Sequence, residues 1–283
     1  MNIGHSETIP WGPARSVRGG RIVFKDLLQG TERTPTNFWL VLADTDATFK
    51  SPRHRHNFDQ IRITLEGSTN FGPRHNIEVG DVAYFPEGTH YGPQNQELVG
   101  KGSLAMVIQF GGASGNGFMS PRQLFEGQEK MRAFGAFEDG VFRRKVAAPN
   151  TQINQDAYEA IWEYQNGRPV EYPKPRVTEP VHFRAANLPW QDLQGQRGVY
   201  WKELGSFSER NIRIASLKLD ANAVYEPQPQ PQEQILFITE GTGRFGSGEN
   251  WSKHTAIHLA SNETPSMTAA ATTEALILFL PRF

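Results

Sequence analysis

The segment from Pro52 to Gly92 constrains the fold of this chain more than any other stretch. It carries His54 and His56 one residue apart, followed by two runs of β-branched and aromatic residues that each lead into a glycine-containing turn. Side chains alternate between the two faces of a β-strand, so His54 and His56 should point the same way, and Gln60 should share that direction in an unbroken strand. The pattern therefore predicts strands and turns that direct two imidazoles at one point.

The spacing of these residues resembles the first motif of the cupins. That motif has two histidines one residue apart, a carboxylate four residues on and a glycine seven residues further. The matching residues are His54, His56, Gln60 and Gly67. Glutamine thus stands where the family has its carboxylate.

The second cupin motif is a glycine, then Pro-x-Gly, then a histidine three residues later. The residues that match its first part are Gly80, Pro86 and Gly88. The histidine position holds Tyr91, and a histidine comes one residue early, at His90.

The resemblance implies a mononuclear metal centre with His54 and His56 as ligands and with Gln60 and His90 as the further candidates. Imidazole nitrogens suit several first-row ions, and we expect one divalent transition metal per chain, Fe(II) being favoured over Zn, Mn, Ni or Cu. Gln60 either binds the metal or only hydrogen-bonds a neighbour. A shift of one residue turns a side chain to the opposite face, so His90 and Tyr91 compete for the last position. We favour His90 as the ligand, with Tyr91 nearby as a proton donor.

Three further residues are predicted to meet a substrate. Arg62 and Thr64 share the strand parity of the histidines and should also face the interior of the barrel. A buried arginine needs a partner, so Arg62 either pairs with an acidic side chain or awaits the carboxylate of a ligand. Tyr84 would supply a stacking wall. We therefore predict Arg62 and Tyr91 as catalytic residues and Arg62, Thr64 and Tyr84 as substrate-binding residues.

The last third of the chain repeats the first at an offset of 174 residues. Six identities mark the repeat, and in the second copy they lie at Gln234, Ile235, Glu240, Gly241, Phe245 and Gly246. At the same offset the two motif histidines are replaced by Gln228 and Gln230. Amide side chains are poor ligands for transition metals compared with imidazole, so the second copy is expected to support the first. The repeat makes the chain similar to a bicupin.

The predicted fold is all-β, with two double-stranded β-helix barrels of the cupin jelly-roll type joined by a short helical and proline-rich connection. The predicted boundaries are an N-terminal arm at 1–18, a metal-binding barrel at 19–115, a connector at 116–185 and a degenerate barrel at 186–283. In the connector, a capping box that begins at Ser120 predicts one helix. A second helix is predicted from Gln155 to Tyr164, with Gly167 as its stop.

Charge and composition exclude several classes of function. Lys and Arg number 29 against 30 Asp and Glu, so no basic excess suits nucleic acid or an anionic membrane surface. The absence of cysteine removes thiolate catalysis and disulfides, and it fits a reducing cytoplasm. No apolar run has the length of a signal peptide core or a membrane span. We expect a cytoplasmic protein whose partners are a small-molecule substrate and a second copy of the chain in a homodimer.

These features favour a mononuclear metal-dependent cupin enzyme of the dioxygenase type that acts on a small carboxylate-bearing molecule, aromatic acids included. The two-barrel layout resembles that of gentisate-type ring-cleaving dioxygenases. Because one fold hosts many chemistries, two alternatives stay open. One is an isomerase or lyase that acts on a sugar or keto acid, and the other is a non-catalytic cupin that binds a small molecule.

Overall fold

The computed structural model describes residues 1–14, 17–116, 118–146 and 152–283. The remaining residues fall in the predicted arm and connector, and they lie outside the described part. The described chain is dominated by antiparallel strands.

Two compact units divide the chain. The N-terminal unit comprises residues 11–24 and 30–182, and the C-terminal unit comprises residues 1–10, 25–29 and 183–283. These boundaries differ from the predicted ones at both ends of the first barrel. The N-terminal unit contains most of the segment predicted as a connector, and residues 1–10 of the predicted arm belong to the C-terminal unit.

In the described residues before 184 there are thirteen strands, of which β2 and β13 each have residues assigned to both units. They are β1 (Asn2–His5), β2 (Ile22–Gln29), β3 (Phe38–Thr45), β4 (Lys50–Ser51), β5 (Phe58–Gly72), β6 (His75–Glu78), β7 (Val82–Phe85), β8 (Gln94–Asn95), β9 (Ser103–Gly111), β10 (Gly135–Glu138), β11 (Val141–Arg144), β12 (Asn154–Asp156) and β13 (Val181–Phe183). The two α-helices are α1 (Pro121–Met131) and α2 (Ala157–Asn166).

The long strand β5 is the centre of the N-terminal unit, because it pairs with β7 on one side and with β9 on the other. The register places Gln60 opposite Phe85 and Arg62 opposite Ala83. Residues directly opposite each other in an antiparallel pair share a face of the sheet. Gln60, Arg62 and Phe85 therefore lie on one face, whereas Tyr84, opposite Ile61, lies on the other.

Both predicted helices are confirmed, with their caps. Ser120 is the N-cap of α1, and its capping box with Gln123 is complete in both directions. The second helix starts two residues later than predicted, after the N-cap Asp156, and ends at Gly167 in the left-handed conformation, with φ of 66°. Both helices pack with the strands of the N-terminal unit in one apolar cluster, to which α2 contributes Tyr158, Ala160, Ile161 and Trp162. The helices are thus part of the wall of this unit.

The proline-rich segment that follows α2 belongs to the predicted connection between the barrels. In the structure it lies against the N-terminal unit, where Tyr172 stacks under the guanidinium of Arg55 at 3.9 Å. A few residues on, Arg176 forms an ion pair with the buried Glu87 at 3.0 Å. The segment therefore covers the turn after β7 as well as the stretch that carries the two histidines.

Ten strands follow in the C-terminal unit. They are β14 (Gln191–Asp192), β15 (Val199–Phe207), β16 (Ile212–Leu219), β17 (Val224–Tyr225), β18 (Gln234–Glu240), β19 (Gly243–Phe245), β20 (Asn250–Trp251), β21 (Thr255–Leu259), β22 (Met267–Ala269) and β23 (Thr273–Phe279). The main sheet has the order β1, β21, β18, β23, β16, β15, β14.

The interior of the C-terminal unit is filled by apolar side chains. Phe245, Trp251 and Met267 are each at most 2% exposed and belong to one cluster with residues of β15, β16, β18, β21 and β23. Gln228, at the position of the first motif histidine, is exposed. This packing supports the prediction that the second copy plays a supporting role.

Within the described ranges, neither α-helix is long and apolar enough to cross a membrane.

Candidate functional site

A cavity of about 150 Å³ lies inside the N-terminal unit. His54, His56, Gln60, Arg62 and Tyr91 all line it, so the structure brings together the residues of both sequence motifs. The rest of the lining has an aromatic and apolar part, which includes Trp39, Phe58, Phe118, Met119 and Tyr158, and an amide-rich part, which includes Asn70, Gln94, Gln96 and Gln109.

The position of Tyr91 is fixed by a backbone bridge to His54. The two residues exchange hydrogen bonds, from His54 N to Tyr91 O at 3.0 Å and from Tyr91 N to His54 O at 2.9 Å. They form an antiparallel pair, so their side chains share a face. Their ring centroids are 4.4 Å apart, and the Tyr91 ring is 5.6 Å from that of His56.

The same bridge explains why His90 does not line the cavity. His90 is one residue before Tyr91 and is therefore turned to the other side, where it is half-buried. Burial and the nearby charges of Arg53 and Arg55 lower the pKa of His90. The preference for His90 over Tyr91 as the group facing the site is therefore wrong, and the motif register gives the correct choice.

Tyr84 and Thr64, both predicted to bind substrate, do not line the cavity. Tyr84 is absent from the cavity lining because it lies on the other face of the sheet, where its hydroxyl donates to Asp59 at 2.8 Å. Phe85, which is also absent from the lining, lies on the same face of the sheet as Arg62, and its ring is 4.6 Å from the Arg62 guanidinium. Thr64 is fully buried and donates to Thr69 at 2.9 Å, and it too is absent from the lining.

The two motif histidines are buried and adjacent, with ring centroids 4.9 Å apart. They lie just before β5, in extended chain rather than in a regular strand. Nδ1 of His54 is 2.7 Å from the carbonyl oxygen of Pro52. A carbonyl only accepts, so Nδ1 carries the proton and Nε2 keeps its lone pair. The His56 ring stacks on Phe58 at 4.2 Å, and neither of its nitrogens has a hydrogen-bond partner in the described part of the chain.

Both imidazoles are neutral near pH 7. Burial lowers the pKa of His54 and of His56 well below the usual value, and the positive charges of Arg18 and Arg62 act in the same direction. A neutral imidazole offers a lone pair to a metal ion or accepts a proton from a bound molecule.

Arg62 connects the two positions at which the sequence departs from the cupin motifs. Its Nε donates to Oε1 of Gln60 at 2.7 Å, and its Nη2 donates to the hydroxyl of Tyr91 at 3.2 Å. The guanidinium is buried, with the whole residue only 9% exposed. Among the described residues it has no carboxylate partner.

Arg18 is a cavity residue that the sequence analysis missed. Its guanidinium donates to Asp156, the N-cap of α2, at 2.6 Å. Arg18 is thus compensated by a carboxylate, whereas Arg62 is not. No Asp or Glu of the described chain lines the cavity, whereas two arginines do, so the charge of the cavity lining is positive.

Other lining residues were missed because they come from distant parts of the sequence. Tyr158 of α2 and Phe118, just before α1, reach the cavity only because the helices pack on this unit. The capping signals of the helices predicted their ends, but no sequence pattern indicated which face of the sheet they cover.

Asp59 belongs to a separate buried cluster. It accepts hydrogen bonds from the Tyr84 hydroxyl and, at 2.7 Å, from the backbone N–H of Glu87. The Glu87 carboxylate is fully buried and is held by Arg176 and by the backbone and hydroxyl of Ser114. Burial, with the negative charge of Glu87 as a further cause, raises the pKa of Asp59 to about 7.

The donor set of the cavity fits a metal ion only in part. Two neutral imidazole nitrogens suit a first-row divalent ion. The described residues contain no group of three or more His, Cys, Asp or Glu side chains placed to hold one. A metal at this site would therefore take its other ligands from weaker donors, from water or from a small molecule.

A scan against models of known families and a search of curated proteins give no match to this chain. Solved structures match nearly its whole length. A protein of Nostoc punctiforme provisionally assigned as a dioxygenase has a TM-score of 0.63 and 13% identity, with 99% of this chain and 82% of that chain covered. A variant of oxalate decarboxylase from Bacillus subtilis has a TM-score of 0.57 and 14% identity, with coverage of 99% and 77%.

A further match is a protein of Geobacillus kaustophilus, with a TM-score of 0.57, 11% identity and coverage of 99% of this chain and 94% of that chain. Structural similarity at such low sequence identity establishes the fold alone. Together with the strand topology, it confirms the prediction of an all-β cupin jelly roll.

Proposed function

We propose that the chain is a metal-dependent cupin enzyme of the dioxygenase type that acts on a small carboxylate-bearing substrate in the N-terminal unit. The observation that carries this proposal is the buried guanidinium of Arg62, which has no carboxylate partner among the described residues and lies in the same cavity as two neutral imidazoles. A buried charge that no protein group compensates is costly, and a bound anion removes that cost. Arginine also matches the geometry of a carboxylate better than lysine does.

In this proposal His54 and His56 hold the metal. When bound, a divalent ion such as Fe(II) supplies Lewis-acid polarisation of the substrate and a site for reaction with dioxygen. Two of the similar proteins have named activities, a provisional dioxygenase and oxalate decarboxylase, and the latter contains Mn(II) centres. These activities support metal chemistry as the working assumption for this cavity.

The residues of the chain have three tasks. Arg62 binds and orients the substrate carboxylate. The Tyr91 hydroxyl accepts a hydrogen bond from Arg62, and the Tyr91 ring lies 4.4 Å from that of His54, so this hydroxyl would hold or deliver a proton next to the bound molecule. The aromatic part of the lining, with Phe58 and Tyr158, excludes water from the body of the substrate.

Elemental analysis tests the metal requirement. Protein purified without added metal and without a histidine tag is compared with the His54→Ala/His56→Ala variant. With a carboxylate present, we expect about one transition metal per chain in the wild type and none in the variant, together with oxygen consumption when aromatic and keto acids are supplied. If both proteins stay empty after anaerobic reconstitution with Fe(II), both without and with an added carboxylate, the enzyme proposal is wrong.

A metal-free cupin that binds a small anion is the second candidate. It is favoured by the donor set, because no third histidine or carboxylate of the described chain joins His54 and His56. In that case a carboxylate would bind to metal-free protein at Arg62 without turnover.

A further inference from the structure

Gln60 and Tyr91 occupy the two positions at which a cupin normally supplies its third and fourth metal ligands. Both have an oxygen that accepts a hydrogen bond from the same guanidinium, that of Arg62. These two contacts and the packing of Arg62 over the Phe85 ring fix the guanidinium inside the cavity that His54 and His56 line.

We propose that Arg62 couples metal binding to anion binding, so that a divalent ion binds tightly only together with a carboxylate. The carboxylate supplies the metal ligands that Gln60 and Tyr91 do not, and these two residues position Arg62 instead. This inference rests on the proposed function, because it concerns the same metal and the same anion.

The number of donor atoms limits metal binding when no anion is present. Without an anion the ion has the nitrogens of His54 and His56 and water. The amide oxygen of Gln60, its candidate ligand atom, already accepts a hydrogen bond from Arg62 Nε at 2.7 Å. An oxygen polarised toward a cation is a poorer donor to a second cation.

Charge also opposes the binding of a metal ion without an anion. Arg18 is compensated by Asp156 at 2.6 Å, and no carboxylate of the described chain lines the cavity. A divalent ion would therefore add two positive charges beside the uncompensated charge of Arg62 in a buried site, where repulsion is strong. A carboxylate bound at Arg62 would be attracted to both cations and would offset the repulsion between them.

The coupling between metal binding and anion binding is reciprocal. If the anion strengthens metal binding by some factor, the metal strengthens anion binding by the same factor. The two ligands then behave as one cooperative unit, and neither binds well alone. The site would be protected from loading with a metal when no substrate is present.

Equilibrium dialysis of metal-free wild-type protein with Mn(II) tests the coupling. The dissociation constant of Mn(II) is measured alone, with acetate or benzoate, and with their uncharged counterparts acetamide or benzamide. We expect either carboxylate to tighten Mn(II) binding at least about fivefold, within the common range of coupling between sites, and the amides to have no effect.

Two variants of Arg62 make the test specific. Arg62→Gln removes the positive charge, so Mn(II) alone should bind more tightly than to the wild type, and the effect of carboxylate should fall below about twofold. Arg62→Lys keeps the charge and should retain part of the coupling. Circular dichroism melting curves check that both variants are folded.

The outcomes separate this inference from the proposed function. If Mn(II) binds the wild type equally well with and without carboxylate, the coupling is wrong and the metal-enzyme proposal stands. If the wild type binds neither Mn(II) nor, in the same dialysis under anaerobic conditions, Fe(II), the metal-enzyme proposal fails, and the coupling fails with it.

Discussion

Tyr84 donates a hydrogen bond to the buried carboxylate of Asp59 at 2.8 Å, on the face of β5 and β7 that is turned away from the cavity. Tyr91 is also buried, but its hydroxyl accepts a hydrogen bond from Arg62 inside the cavity. Two buried tyrosines seven residues apart therefore have different tasks, one in the packing of the sheet and the other in the site.

Replacing each tyrosine with phenylalanine should separate these tasks. Tyr84→Phe removes a donor to a buried carboxylate and should lower the free energy of unfolding by about 1–3 kcal/mol while the affinity for a carboxylate stays unchanged. Tyr91→Phe should weaken carboxylate binding by about tenfold, because Arg62 loses one of its two fixed contacts. Urea unfolding and titration calorimetry measure the two quantities. Equal effects of both variants on binding would contradict this assignment.

Asp59 should make the stability of the protein depend on pH near neutrality. Its pKa of about 7 in the folded state lies above the value of about 3.9 in an unfolded chain. A carboxyl with a raised pKa favours the folded state when protonated, so its contribution is complete below pH 4 and is lost as pH rises through 7. The groups that face it are Tyr84, Glu87 and, through Glu87, Arg176.

The measurement is the free energy of unfolding at pH 5 and at pH 8 for the wild type and for Asp59→Asn, which cannot ionise. We expect the wild type to lose a few kcal/mol more than the variant over this interval, since each pKa unit corresponds to about 1.4 kcal/mol. Comparing the two proteins cancels the other titrating groups. Parallel pH profiles would show that Asp59 is already ionised at pH 5.

The motif glycines and histidines predicted the fold because each has a local physical role that the sequence reveals. Strand parity correctly placed Gln60 and Arg62 in the cavity. The pairing of β5 with β7 decides which aromatic residue shares a sheet face with Arg62. That residue is Phe85, and Tyr84 lies on the opposite face. That pairing register is a tertiary property, which the sequence of either strand alone does not contain.

The choice between His90 and Tyr91 shows the same limit. The preference for His90 came from its side-chain chemistry, but the backbone bridge between His54 and Tyr91 decides which side chain faces inward. Arg18 had no local signal at all. It reaches the cavity through its contact with Asp156, more than one hundred residues away, and only the folded chain brings the two together.

The ion pair between Arg176 and Glu87 should hold the proline-rich segment in place. Glu87 is fully buried, so Arg176→Met would leave a buried carboxylate with only the two hydrogen bonds from Ser114. We expect a loss of about 1–3 kcal/mol in the free energy of unfolding, less than for a fully buried pair, because the Arg176 side chain is 30% exposed.

The control is the double variant Glu87→Gln/Arg176→Met, in which no buried charge is left without its partner. It should be more stable than Arg176→Met alone. A double variant less stable than the single one would mean that Ser114, not Arg176, carries most of the interaction with Glu87.

Gly67 and Gly80 offer a matched test of why the motifs contain glycine. Both have a positive φ, 77° and 81°, which a side chain makes unfavourable by about 1–2 kcal/mol. At Gly67 a Cβ would also lie 2.3 Å from the backbone oxygen of Gly102, whereas at Gly80 it would meet no atom within 4 Å.

Gly80→Ala should therefore lower the free energy of unfolding by about 1–2 kcal/mol, which is the conformational term alone. Gly67→Ala should cost clearly more, because the backbone of β5 or of the turn at Gly102 must move to relieve the contact. Urea unfolding of both variants gives the comparison, with unchanged slopes showing that the same surface is exposed. If the two losses are equal, the close approach of Gly67 to Gly102 adds nothing, and the left-handed backbone alone explains the need for glycine at this position of the motif.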